Sequence, residues 1–134
     1  MDADIGIESF FHHATGTWSY VVHAAGDAVI MDPVLDYEAA AGRIRSESAR
    51  ELLAHVHSHD LRVHYILETH AHADHLSAGA FLRARTLSTL AIGRVIRTMQ
   101  ASLAPVIGLT PDAPGFPDAL DGSLAAGQIY DAGA

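Results

Sequence analysis

The sequence predicts an α/β domain on three observations. β-rich segments joined by short turns open the chain, an amphipathic helix then leads into a short apolar strand, and a histidine-rich loop stands where that strand ends. Ile7 to His12 and Thr17 to His23 are the first two strands, joined around Ala14-Thr15-Gly16; Trp18-Ser19-Tyr20-Val21-Val22 has the aromatic and β-branched content of a strand. Ala25-Gly26-Asp27 is a turn, and Ala28 to Met31 is a third strand stopped by Asp32-Pro33. The short turns imply an antiparallel meander.

A loop is expected through Gly42, then a helix from about Ser48 to Asp60. Ser48 and Glu51 have capping-box spacing, and Ala49, Leu52, Leu53 and Val56 form one apolar stripe. Val63 to Leu67 is short enough and apolar enough for a buried strand. A second helix is expected over Ser77 to Arg85, a strand over Leu87 to Ile92, and a helix over Arg94 to Leu103. The proline-rich stretch Thr110 to Pro117 reads as irregular, and Gly127 to Asp131 as the start of a strand.

Composition narrows the function. The 134 residues suit one domain, and 49% of them are hydrophobic, enough for a sizeable core. The net charge of −8 argues against a general binder of nucleic acid or anionic membrane, since both need a positive surface. No residue is cysteine, so disulfides and a thiol nucleophile are excluded and any metal site must use histidine and carboxylate. Met1-Asp2-Ala3-Asp4 has no basic leader character, and no apolar run approaches the roughly 18–20 residues of a membrane span. The expectation is a soluble cytoplasmic protein.

Histidine is the outlier, with ten residues. His70, His72, Asp74 and His75 lie just past a strand end, where residues two apart point to the same side. His70 and His72 are therefore expected to grip one metal ion, with Asp74 and His75 facing a second position. Imidazole and carboxylate ligands suit zinc, iron or manganese. Such a site can create a nucleophilic hydroxide from water, or, with iron, bind O2. His55-Val56-His57-Ser58-His59 reads instead as a solvated helix end, with His55 and His59 on one face and His57 on another. His12 and His13 are weaker site candidates, His23 and His64 read as surface or strand residues, and Arg83, Arg85, Arg94 and Arg97 as a solvated helix face.

His-x-His-x-Asp-His after a strand resembles the signature of the metallo-β-lactamase superfamily. The longer run from Ile66 to Gly79, Ile-Leu-Glu-Thr-His-Ala-His-Ala-Asp-His-Leu-Ser-Ala-Gly, resembles the branch of persulfide dioxygenases and glyoxalase II-like hydrolases. So do the stretches Phe10 to Tyr20 and Val29 to Tyr37. The resemblance implies the first half of an αββα sandwich, with residues 1–134 a partial domain that stops before the second half. No His follows His75, and Asp112, Asp118, Asp121 and Asp131 stand in no context like the family's bridging aspartate.

The resemblance also implies roles. His70, His72, Asp74 and His75 match metal ligands for one or two ions of iron or zinc, Asp74 being also the candidate catalytic carboxylate. In the single-iron form only His70 is carried over as a direct ligand. Asp32 matches a carboxylate beneath the site that orients a ligand histidine. The implied activity is oxidation of a glutathione-type persulfide with iron and O2, and the implied partner a small thiol-derived substrate. Zinc-dependent thioester hydrolysis of the glyoxalase II type is the alternative. A non-catalytic remnant, a homo-oligomer or a subunit needing a complementing chain is another, and a histidine-based metal-storage module ranks last.

Overall fold

The computed structural model describes residues 3–70, 72–93, 102, 105–106 and 122–124, the last three by backbone alone. The expected helix over 94–103, irregular stretch over 110–117 and strand over 127–131 lie almost wholly outside the described residues.

β1 (Gly6–His12), β2 (Thr17–Ala24) and β3 (Asp27–Met31) form the antiparallel meander read from the sequence. β6 (Arg62–Glu68), β8 (Thr89–Gly93) and β9 (Gly122–Leu124) extend it in parallel, in the order β1-β2-β3-β6-β8-β9. α1 (Glu47–Ser58) and α2 (Gly79–Thr86) supply the crossovers that parallel pairing requires. The register places Val21 opposite Ile30, Ile30 opposite Ile66 and Ile66 opposite Leu90. These four form one buried row across four strands. The α1 stripe of Ala49, Leu52, Leu53 and Val56 covers this row, and Leu82 of α2 joins the same core. Each large side chain buried here contributes about 1.5–3 kcal/mol by removal from water.

Three local expectations are corrected. The loop after Pro33 contains a hairpin, β4 (Val34–Glu38) with β5 (Arg43–Arg45), whose register sets Asp36 against Arg45 and Glu38 against Arg43. Opposite charges face each other across it, which favours the pairing. The capping box is not formed: α1 begins at Glu47 after Ser46, and the Ser48 hydroxyl donates instead to Asp36 Oδ1 at 2.6 Å. A tertiary carboxylate has displaced the local partner. Finally, Leu76–Ser77 is a short strand, β7, that pairs with β4, so α2 starts only at Gly79. A Cβ at Gly79 would come within 2.7 Å of Leu90 Cδ1, so any larger residue there requires the buried Leu90 side chain to shift.

Among the described residues no helix is long and apolar enough to cross a membrane.

Candidate metal centre

β6 delivers the histidine loop. Its apolar run carries the chain through the sheet, and its last residue, Glu68, is followed directly by Thr69 and His70. The loop returns through β7, which pairs Ser77 with Val34 and Leu76 with Leu35, while the Ala78 amide donates to the Pro33 carbonyl at 3.0 Å. The loop is thus clasped over the end of β3, where Asp32 stands.

Asp32 has φ +50°, a left-handed turn that aspartate tolerates better than most residues. The turn lets its carboxylate accept three hydrogen bonds: from the Thr69 amide (2.8 Å), the Thr69 hydroxyl (2.8 Å) and His72 Nε2 (2.8 Å). Burial alone raises the Asp32 pKa, but these bonds and the charge of His72 outweigh it and hold the group below its ordinary value.

Donor accounting then fixes the three rings. The Thr69 hydroxyl spends its proton on Asp32, so its 2.8 Å contact with His70 Nδ1 requires the ring to donate. His72 donates from Nε2 to Asp32, and His75 Nδ1 donates to the Leu76 carbonyl at 2.9 Å. In the neutral rings the lone pairs are therefore on His70 Nε2, His72 Nδ1 and His75 Nε2. His72 Nδ1 faces Asp74 Oδ1 at 3.8 Å, and His75 Nε2 is shut from solvent without a hydrogen-bond partner. Ligand atoms of His72, Asp74 and His75 all lie within 4.8 Å of one another. The His70 ring stands 4.1 Å from that of His72, which is 4.3 Å from that of His75. His70 is exposed, beside the three-residue group rather than within it.

A second group, Asp32, Glu68 and His72, is equally close. Glu68 is 6% exposed; its Oε1 accepts from Ser77, and its Oε2 has no partner and lies 3.5 Å from His72 Nε2. Burial pushes its pKa up; the Ser77 bond opposes this, the Asp32 charge reinforces it, and the net value is about 7. Sequence reasoning missed Glu68. The available signal was its period-two phase with buried Ile66, which puts a carboxylate on the core face of β6.

His72, Asp74 and His75 open onto a cleft of ≈ 450 Å³ lined also by His12, Thr15, Leu35, Tyr37 and Leu76. His12 is held on both sides, by Asp36 Oδ1 at 3.0 Å and Thr15 Oγ1 at 2.7 Å. His13 packs edge-on against Phe11 instead, and His64 pairs with Asp27 at 2.6 Å. The Arg85 guanidinium lies 3.5 Å from the centre of the Phe81 ring, while Arg94 and Arg97 lie outside the described residues.

Comparison with known proteins agrees with this architecture. The model of the metallo-β-lactamase superfamily matches residues 14–122. A probable metallo-hydrolase of Burkholderia pseudomallei is 44% identical over 96 residues, covering 70% of this chain and 33% of that protein. A β-lactamase hydrolase-like protein of Xylella fastidiosa is 34% identical over 129 residues, 95% of this chain and 30% of its own length. Glyoxylase B2 of Dictyostelium discoideum is 31% identical over 102 residues, 75% of this chain and 35% of that one. The chain spans about a third of the length of these curated relatives. Among solved structures, ETHE1 from Myxococcus xanthus superposes with a TM-score of 0.53 at 31% identity, over 64% of this chain and 34% of that chain. The BLEG-1 B3 metallo-β-lactamase gives 0.62 at 20% identity, over 96% and 57%, a likeness of fold. The family match runs from the β1–β2 turn through the histidine loop to β9, and on that match the chain belongs to the metallo-β-lactamase superfamily.

Proposed function

We propose that His72, Asp74 and His75, with His70 beside them, hold iron or zinc for chemistry on a small thiol-derived substrate in the adjoining cleft. The observation that carries this reading is His75 Nε2, a lone pair buried without a partner beside two further donors. Leaving a buried polar atom unpaired costs about 1–3 kcal/mol, and a cation shared with His72 and Asp74 would remove that penalty. The donor set of nitrogens and carboxylate, with no sulfur, fits either metal. When bound, iron supplies redox chemistry with O2 and zinc supplies Lewis-acid activation of water.

The chain's own residues do the positioning. Asp32 fixes the tautomer of His72, the Leu76 carbonyl fixes that of His75, and Thr69 fixes that of His70. Leu35, Leu76 and Tyr37 give the cleft apolar area against which a thiol's carbon skeleton packs. Asp74, half-exposed beside His72, is the candidate catalytic carboxylate as well as a candidate ligand.

For the reaction we favour oxidation of a glutathione-type persulfide, in which R–SSH, O2 and water give R–SH, sulfite and two protons. The two sulfurs together lose four electrons, the outer one oxidised and the inner one reduced to the thiol, and O2 gains them. The Ile66 to Gly79 run and the likeness to ETHE1 support this reading. Thioester hydrolysis is the second reading, supported by the likeness to Glyoxylase B2.

The test compares the chain with a His72→Ala/His75→Ala variant for bound metal, then supplies glutathione persulfide or a glutathione thioester. A metal ion lost in the variant, with sulfite formed in step with O2 uptake, is the expected result. Thioester cleavage without O2 uptake selects the hydrolase. Equal metal content in both proteins overturns the proposed centre.

A further inference from the structure

The far end of the same sheet face holds a second group of ligand-type side chains. β1 and β3 run in the same direction, so Gly6 and Glu8 lie at the edge opposite the histidine loop, where α1 ends. His55 in the last turn of α1 and His59, the residue that caps it, have ring centroids 4.2 Å apart. The register sets Gly6 against His23 and Glu8 against Val21, so Glu8 and His23 share the face that α1 covers.

We propose that His55 and His59, with His23 and Glu8 completing the set, bind a borderline divalent cation such as zinc, separate from the His72–Asp74–His75 centre. His55 Nε2 is shut from solvent and has no hydrogen-bond partner. The ring is half-buried, with Phe10 edge-on at 5.5 Å on one side and His59 on the other, so it is not the solvated surface histidine that its sequence context implies. His59 Nδ1 donates to the His55 carbonyl at 2.9 Å, which leaves His59 Nε2 with the lone pair. Two imidazoles one helical turn apart form a chelating pair, and imidazole with one carboxylate is a zinc-type donor set.

The sheet supplies the rest. The His23 ring lies over Gly6, where a Cβ would come within 2.4 Å of Nε2; only glycine leaves room for the ring in this position. These four residues are not drawn together as tightly as the His72 group, so binding requires side-chain rotation about the His55–His59 pair. A cation there would tie the end of α1 to β1 and β2 and stabilise the fold by mass action. His57 is exposed on another side of the helix and takes no part.

The test is a zinc titration of the untagged chain followed by NMR of assigned histidine ring resonances, with His72 and His75 reporting the first centre independently. The His55 and His59 rings are expected to shift together and saturably. His59→Ala, a change at an exposed position, should weaken that response about tenfold or more while leaving the His72 and His75 response intact. His23→Gln should weaken it less. His55 and His59 rings that stay unmoved in excess zinc, or an undiminished His55 shift in His59→Ala, would overturn the proposal whatever the first centre does.

Discussion

His72 Nε2 lies 2.8 Å from Asp32 Oδ1, a bond between the end of β3 and the loop after β6 that spans 40 residues of sequence. It joins the two parallel strands at the edge where the cleft opens and decides which nitrogen of His72 is free. Fold and candidate site share this one contact, because the carboxylate that closes the loop also sets the tautomer of His72.

Replacing Asp32 by Asn keeps a residue that tolerates the left-handed turn but removes the charge that fixes His72. Loss of such a supporting carboxylate costs about 10–100-fold in metal affinity. Competition with a chromogenic chelator measures it. Unchanged affinity in Asp32→Asn would detach Asp32 from any role at the metal. Asp32→Ala should also destabilise the fold, since the Thr69 amide, the Thr69 hydroxyl and His72 Nε2 all lose their acceptor.

Glu68 makes the metal-free protein pH-sensitive in the direction opposite to most carboxylates. Its pKa of about 7 in the fold stands above the ordinary 4.5, so between these values the folded state holds a proton that the unfolded chain has released. Unfolding free energy therefore falls as pH rises through that window, by a total of about 3 kcal/mol for a shift of this size. Asp32 and Asp36 are shifted downward and act below 3.8, outside it. His55, lowered from 6.5, works in the opposite sense but equally in both proteins compared. Glu68→Gln should remove the Glu68 slope and be the more stable protein at pH 8. Urea unfolding at pH 5 and pH 8 reads this, and a wild-type-minus-variant difference that does not change with pH would refute it.

Leu87 ends α2 in the left-handed region, φ +55°, and is 92% exposed. A side chain there pays the Cβ penalty and returns almost no burial. Leu87→Gly should stabilise the protein by about 0.5–1 kcal/mol, the relief of strain exceeding the entropy that glycine adds to the unfolded chain. Thermal unfolding would show a higher Tm; a lower one would mean that this turn relaxes without strain.

What was legible in the sequence followed from period and motif. β-branched content and short apolar runs marked β2, β3 and β6 as strands, which the fold packs into one core through Val21, Ile30 and Ile66, and the i, i+3, i+4, i+7 stripe oriented α1. The histidine loop was legible because a strand ran straight into it. β4 and β5 were not, since they have five and three residues, β5 pairs only with β4, and the other partner of β4, Leu76–Ser77, lies some forty positions away. Ser48 and Glu51 satisfied a local rule that a distant carboxylate overrode. Glu68 looked like a polar residue ending a strand; its phase with Ile66 pointed it inward, and the packing of Ser77 and His72 around it makes it a buried acid. In each case local pattern succeeded where one face decides and failed where a long-range polar partner decides.

Asp36 is that distant carboxylate. It accepts from the Ser48 amide at 2.9 Å, the Ser48 hydroxyl at 2.6 Å and His12 Nε2 at 3.0 Å, so a β4 residue caps the first turn of α1 and braces the cleft wall. Burial raises its pKa, but the Ser48 bonds and His12 more than offset this and lower it. A depressed carboxylate contributes stability that is present above its unfolded value and lost as pH falls through its folded one. Asp36→Ala should cost about 1–3 kcal/mol at pH 7, through the unpaired helix amide and the lost charge at the helix N-terminus. The gap between wild type and variant should close as the solution is acidified below pH 3.8, the ordinary value for the group. Urea unfolding followed by circular dichroism across that range measures it. A gap that persists in acid would assign the effect to lost packing, because a protonated Asp36 no longer supplies the charge on which the cap and the His12 contact depend.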